Sequence, residues 1–171
     1  MHRDTILIGA GCVLAIFVGG WILLSSSAEE ISDSAPAAVS FTMLKEGDTT
    51  GLITARKNYL VKNADALEEL WGLMYPSSDQ VSGVPEMPAI DFTTHDIIAV
   101  FDGEHTTGGF DIAVASVADS KTERALHVLH REPGDGCITA QVRSHPFEIV
   151  VLPKADLPIV RTDSTAVVEC K

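Results

Sequence analysis

The sequence predicts an α+β fold: a mainly antiparallel β-sheet domain with one amphipathic helix, preceded by a single N-terminal transmembrane helix. Three observations predict it. Residues 6–24 form one uncharged, proline-free apolar run. From Ser40 onward, short apolar runs alternate with turn-forming residues, the mark of strands. Around Leu67–Met74 alone the apolar period changes from two to that of a helix. The boundaries that follow are an anchor over residues 1–24, a flexible linker over 25–39 and an extracytoplasmic domain over 40–171.

The anchor segment reads ILIGAGCVLAIFVGGWILL. At 1.5 Å per residue, a helix of this length matches a hydrocarbon core of about 30 Å. Arg3 precedes it, and Glu29, Glu30 and Asp33 follow. The positive-inside rule then leaves the N-terminus cytoplasmic and the domain periplasmic or at the cell surface. Two other readings compete. A cleaved signal peptide would use Ser26-Ser27-Ala28, but the apolar run exceeds the usual h-region. A lipoprotein would use Cys12, but Gly9 stands where a large aliphatic residue belongs. Gly11, Ala15 and Gly19 fall four apart on one face, a small-residue stripe that suits close packing against another helix. Small, acidic and proline-containing, residues 25–39 have the composition of a tether.

In the domain, strands are expected at 40–44, 51–56 and 58–61. In NADALEELWGLMY, Leu67, Leu70, Trp71 and Met74 sit at i, i+3, i+4 and i+7 behind a capping Asn63, which predicts the helix and its buried face. Residues 76–88 read as a long loop. The run DIIAVFD over 96–102 predicts a central strand covered on both faces. Residues 110–117 alternate and pair with 125–131 across a polar turn. Residues 138–143 also alternate, which predicts a strand with Ile138, Ala140 and Val142 inward. Strands over 147–152 and 157–160 follow, with an edge strand over 165–170.

Composition narrows the function. A net charge of −12 argues against a phosphate-backbone binder, so no nucleic-acid partner is expected. No nucleophile elbow, phosphate loop or H-E-x-x-H helix occurs, so the chain is read as no enzyme, with no cofactor. The domain's histidines are scattered. His127 and His130 lie three apart on a strand and point to opposite faces, so no metal site is assigned. Asp91, Asp102 and Asp111 flank a glycine-containing loop. Asp91 suits a turn or cap, and Gly108 and Gly109 suit a bulge or a positive-φ backbone at a strand entry. Asp102, His105, Thr107, Gly108, Gly109 and Asp111 are the candidate binding loop if the domain takes a small molecule, ion or envelope polymer. With Cys12 in the anchor, Cys137 and Cys170 remain as a pair, and an oxidising compartment would join them.

An ordered set of motifs carries a family resemblance. It comprises Gly51-Leu52-Ile53 with Arg56, LEELW at 67–71, Ile90-Asp91-Phe92, IIAVFDG at 97–103 and Thr107-Gly108-Gly109-Phe110-Asp111-Ile112. Glu132-Pro133-Gly134, Cys137, His145-Pro146-Phe147 and Val151-Leu152-Pro153-Lys154 complete it. In this the domain resembles the PrcB C-terminal family. The resemblance implies a non-catalytic, extracytoplasmic accessory protein that binds and stabilises a partner protein, a protease in the family's namesake complex. Lipoprotein attachment is frequent among such proteins, and the helical anchor read here departs from it.

Overall fold

The computed structural model describes residues 35–48, 51–76 and 85–170. The predicted anchor, with Gly11, Ala15 and Gly19, lies outside the described residues, as does most of the predicted linker. Among the described residues no helix is long and apolar enough to cross a membrane.

Two four-stranded sheets and one helix form three layers. One sheet has the order β1-β5-β6-β8, built from β1 (Ala37–Ala38), β5 (Asp111–Asp119), β6 (Arg124–Pro133) and β8 (Ile159–Val168). The other has the order β2-β7-β4-β3, built from β2 (Thr42–Asp48), β7 (Pro146–Pro153), β4 (His95–Phe101) and β3 (Lys57–Val61). The helix α1 (Ala64–Met74) covers the outer face of this second sheet. All strand pairs are antiparallel except β6–β8, which run parallel over ten residues. The expected antiparallel α+β architecture thus carries one parallel edge.

α1 starts where Asn63 accepts a hydrogen bond from the Ala66 N–H at 2.8 Å, satisfying one of the free donors of the first turn. Its apolar stripe of Leu67, Leu70, Trp71 and Met74 is buried, as the spacing predicts. It packs on Val61, Ile97, Ala99, Phe101, Phe147 and Ile149. The Trp71 indole N–H would be costly to bury unpaired, and it donates to the Pro85 carbonyl at 2.9 Å.

β4 lies between β7 and β3 and is buried on both faces. Ile97, Ala99 and Phe101 look toward α1, whereas Ile98 and Val100 look toward the other sheet. The layer between the sheets follows from that alternation: Ile98, Val100, Val150 and Leu152 meet Ile112, Val114, Val117, Leu126 and Val128. In β5 the register shifts between Val114 and Ser116, so that Val114 and Val117 both face inward. The Val114 N–H, displaced by this bulge, donates to the buried Glu148 carboxylate.

Several expectations are corrected. Residues 51–56 are a turn rather than a strand. Gly51 packs so tightly under the end of α1 that an added Cβ would lie 2.2 Å from the Leu73 carbonyl oxygen. The expected strands over 157–160 and 165–170 are one strand, β8, because the polar stretch between them still pairs with β6. Ala37 and Ala38, assigned to the linker, pair with β5. Residues 138–143 form no strand, and Ile138, Ala140 and Val142 point outward rather than inward.

Candidate functional site

β4 and β6 share an inward pattern: polar, apolar, apolar, polar. Asp96, Ile98, Val100 and Asp102 face Arg124, Leu126, Val128 and His130 across the layer, and all eight are buried. An aliphatic centre between the sheets is therefore capped by charged groups at both ends. At one end Arg124 makes two bonds to the Asp119 carboxylate, at 2.7 and 2.8 Å, and a third to the Pro153 carbonyl at 3.0 Å. There Asp96 accepts from the Ala155 N–H through one oxygen. Its other oxygen has no hydrogen-bond partner among the described residues.

The opposite end holds the candidate loop. Asp102 directly follows β4, and its side chain is 1% exposed. One of its oxygens accepts from Arg56 Nη2 at 2.8 Å and from His130 Nδ1 at 2.6 Å. The other accepts from His105 Nε2 at 2.8 Å. The second ring nitrogen of His130 meets Asp163 Oδ1 at 2.6 Å, and Asp163 in turn accepts from Arg161. A chain of charge-assisted hydrogen bonds thus runs His105–Asp102–His130–Asp163–Arg161 across both sheets. The hydrogen bonds from Arg161 hold the Asp163 carboxyl below the usual carboxylate range, against a smaller opposing effect of burial.

This arrangement commits Asp102 to three donors and, with its side chain 1% exposed, shuts it off from a ligand in solvent. Its work here is to neutralise three cationic or hydrogen-bonding groups at the rim of the core. Among the described residues no group of three or more His, Cys, Asp and Glu is placed to hold a metal ion. His127 points to the other face of β6, as its spacing from His130 predicts, and bonds the Ser164 hydroxyl at 2.8 Å.

The rest of the candidate loop is fastened to residues 137–144. His105 and Ser144 exchange backbone hydrogen bonds at 2.9 and 3.1 Å, the Ser144 hydroxyl donates to the Thr107 carbonyl, and the Gly108 N–H donates to the Ala140 carbonyl. The His105 ring stacks on Phe110, with 3.8 Å between centroids. Gly109 has a φ of +94°, and a Cβ there would come within 3.0 Å of the Thr139 methyl. Gly108 has no positive φ, so the conformational demand falls on one of the two glycines. Cys137 and Cys170 are joined, with 5.4 Å between their Cα atoms, which ties this segment to the residues after β8.

Of the predicted site residues, Asp102, His105, Thr107, Gly108 and Gly109 come together. Asp111 lies at the start of β5 and pairs with Arg131 instead. Asp91 sits at the other end of β4, where Thr93 and Thr94 bond its carboxyl and hold its pKa below the usual range. Sequence reasoning missed His130, Asp163 and Arg161. The available signal was the inward phase of β6, which places His130 in line with Leu126 and Val128.

Residues 97–153 match the family model described as PrcB C-terminal, the family that the ordered motifs resemble. The match covers one third of the chain and runs from β4 through β7, including Asp102, the candidate loop and His130. No curated protein and no solved structure matches the chain.

Proposed function

We propose that the chain is a non-catalytic, membrane-anchored, extracytoplasmic accessory protein that binds and stabilises a partner protein, and that this partner is an envelope protease. The observation that carries the reading is the match to the PrcB C-terminal family over the strands that build the layer between the sheets. The family's name is that of a protease-complex subunit. The geometry is in keeping with it: the polar groups of the candidate loop bond one another, and large aliphatic side chains stand in solvent on the segment fastened to it. The Cys137–Cys170 bond fits an oxidising compartment, and the apolar run at 6–24 supplies the anchor.

The test is affinity capture of the full chain from detergent-solubilised membranes, followed by identification of what is retained and by measurement of its lifetime in cells lacking the chain. A retained protease that is degraded faster in those cells is the expected result. A protease whose abundance and lifetime are unchanged overturns the stabilising role. Capture that retains no protein overturns the accessory reading altogether.

A further inference from the structure

Residues 138–143 have the sequence of a strand and the setting of a surface. Ile138 is fully exposed, with a relative exposure of 102%, Val142 is 62% exposed, and Ala140 between them is exposed as well. Gln141 and Arg143 are exposed too, and the chain bends at Gln141 and Val142, so the segment is a surface loop rather than a strand. The segment is nevertheless held in place at both ends and in its middle. Cys137 is bonded to Cys170, Ala140 accepts from Gly108, and Ser144 bridges to His105. Close to the Cys137 end, Val167 and Val168 add 59% and 46% exposed aliphatic surface, and the Val168 carbonyl accepts from the Gly134 N–H at 3.0 Å.

The charges around this face are unequal. Glu132, Asp135 and Glu169 lie at the Ile138 end, with a Glu169 carboxylate oxygen 3.0 Å from where a Cβ on Gly134 would sit. None of the three makes an ion pair among the described residues, whereas at the Val142 end Arg143 is paired with Glu104. One end of the apolar row is thus acidic and unbalanced, and the other is neutralised.

We infer that the exposed aliphatic patch of residues 138–142 is the docking surface for the partner. The occupant is a segment of the partner protein that carries aliphatic side chains and, where it lies over Ile138, Lys or Arg. The inference rests on the accessory-protein reading and names the surface that serves it. The unpaired carboxylates select a basic flank. Because the segment is fastened before binding, little ordering cost is left for the complex.

A photo-reactive residue introduced into the full chain at Ile138, at Val142 or at the equally exposed Leu52 tests this in cells. Leu52 lies beside the C-terminal end of α1, bonded to Leu73, outside the proposed surface, and serves as the comparison site. Adducts at positions 138 and 142 are expected at about tenfold the yield at 52. The cross-linked peptide should carry aliphatic residues next to Lys or Arg, and Asp135→Lys should lower the yield about fivefold. Adducts at 52 alone overturn the surface and leave the accessory reading standing. Adducts at 138 and 142 to lipid, to a second copy of the chain or to a segment without a basic flank overturn the stated occupant. No adduct at any site, with an empty affinity capture, overturns both.

Discussion

Replacing Asp102 by Asn tests whether the chain from His105 to Arg161 supports the fold. The substitution keeps the shape and removes the charge, leaving one carbonyl oxygen where two carboxylate oxygens accepted from Arg56, His105 and His130. Breaking a buried ion pair from one side costs about 3–5 kcal/mol. Two features of this site reduce that. Arg56 is 48% exposed, so water takes over much of its solvation. Asp163 still faces the second nitrogen of His130. The expected loss is therefore about 2–3 kcal/mol, or about 7–10 °C in the unfolding midpoint of a domain of this size. Thermal and urea unfolding followed by circular dichroism measure it, with Asp156→Asn as control, since that carboxylate is 94% exposed and bonded only to Lys62. A shift for Asp102→Asn no larger than the control's would refute the idea that the network holds the two sheets together.

Three further outcomes are expected. The sequence separation of 33 between Cys137 and Cys170 sets a loop whose opening by Cys170→Ser should cost about 4 kcal/mol on the chain-entropy account; a loss under about 1 kcal/mol in urea titrations would contradict it. Gly109→Val, which meets both a positive φ and the Thr139 methyl, should cost about 1–3 kcal/mol, while Gly108→Ala meets only Ala140 at 3.5 Å and should be nearly neutral; equal losses would remove the conformational argument. Burial raises the Glu148 carboxyl above its ordinary value, so the folded state holds that proton longer than the unfolded one and the associated stability is lost as pH rises through the folded value. Glu148→Gln keeps an acceptor for the Val114 N–H and should gain on the wild type between mildly acid and neutral pH; parallel stability curves would show that the carboxyl titrates normally.

What the sequence discloses depends on whether a residue's role is local. The cap at Asn63 and the four-residue stripe of α1 are decided within one segment, so the helix is readable in full. β4 is readable as a strand because its apolar run is short and β-branched, and β6 because it follows the alternating β5 across a polar turn. Their polar ends are another matter. The phase of β6 turns His130 inward, but its partners Asp163 and Arg161 stay hidden until β8 is known to lie beside β6, and that pairing joins residues more than thirty apart through a strand of the other sheet. Residues 138–143 mislead for the converse reason. Period-two alternation marks faces only where the chain is extended; here it bends at Gln141 and Val142, and among the described residues no strand pairs with 138–143. Of the candidate loop, the nearness of Asp102 and His105 is legible, and so is a positive φ within the Gly108-Gly109 pair, though not which of the two adopts it. The separate pairing of Asp111 with Arg131 is not, since it depends on the register of β5 against β6.

The parallel pairing of β6 and β8 also dictates a timetable for assembly. Two antiparallel neighbours can zip from a hairpin, but β8 reaches β6 only after the chain has left for the opposite sheet, completed β7 and come back. During synthesis β8 emerges after β7. Until then the edge of β6 is bare and His130 has a single carboxylate neighbour from the part already made, Asp102. Arrival of β8 delivers Asp163 and Arg161 to the ring and Cys170 to Cys137 in one event. The nascent domain therefore passes through a stage with an open, hydrogen-bond-hungry margin, when a stray strand is most able to pair with it. Its closing oxidation comes last, which makes disulfide formation a natural marker that maturation is complete.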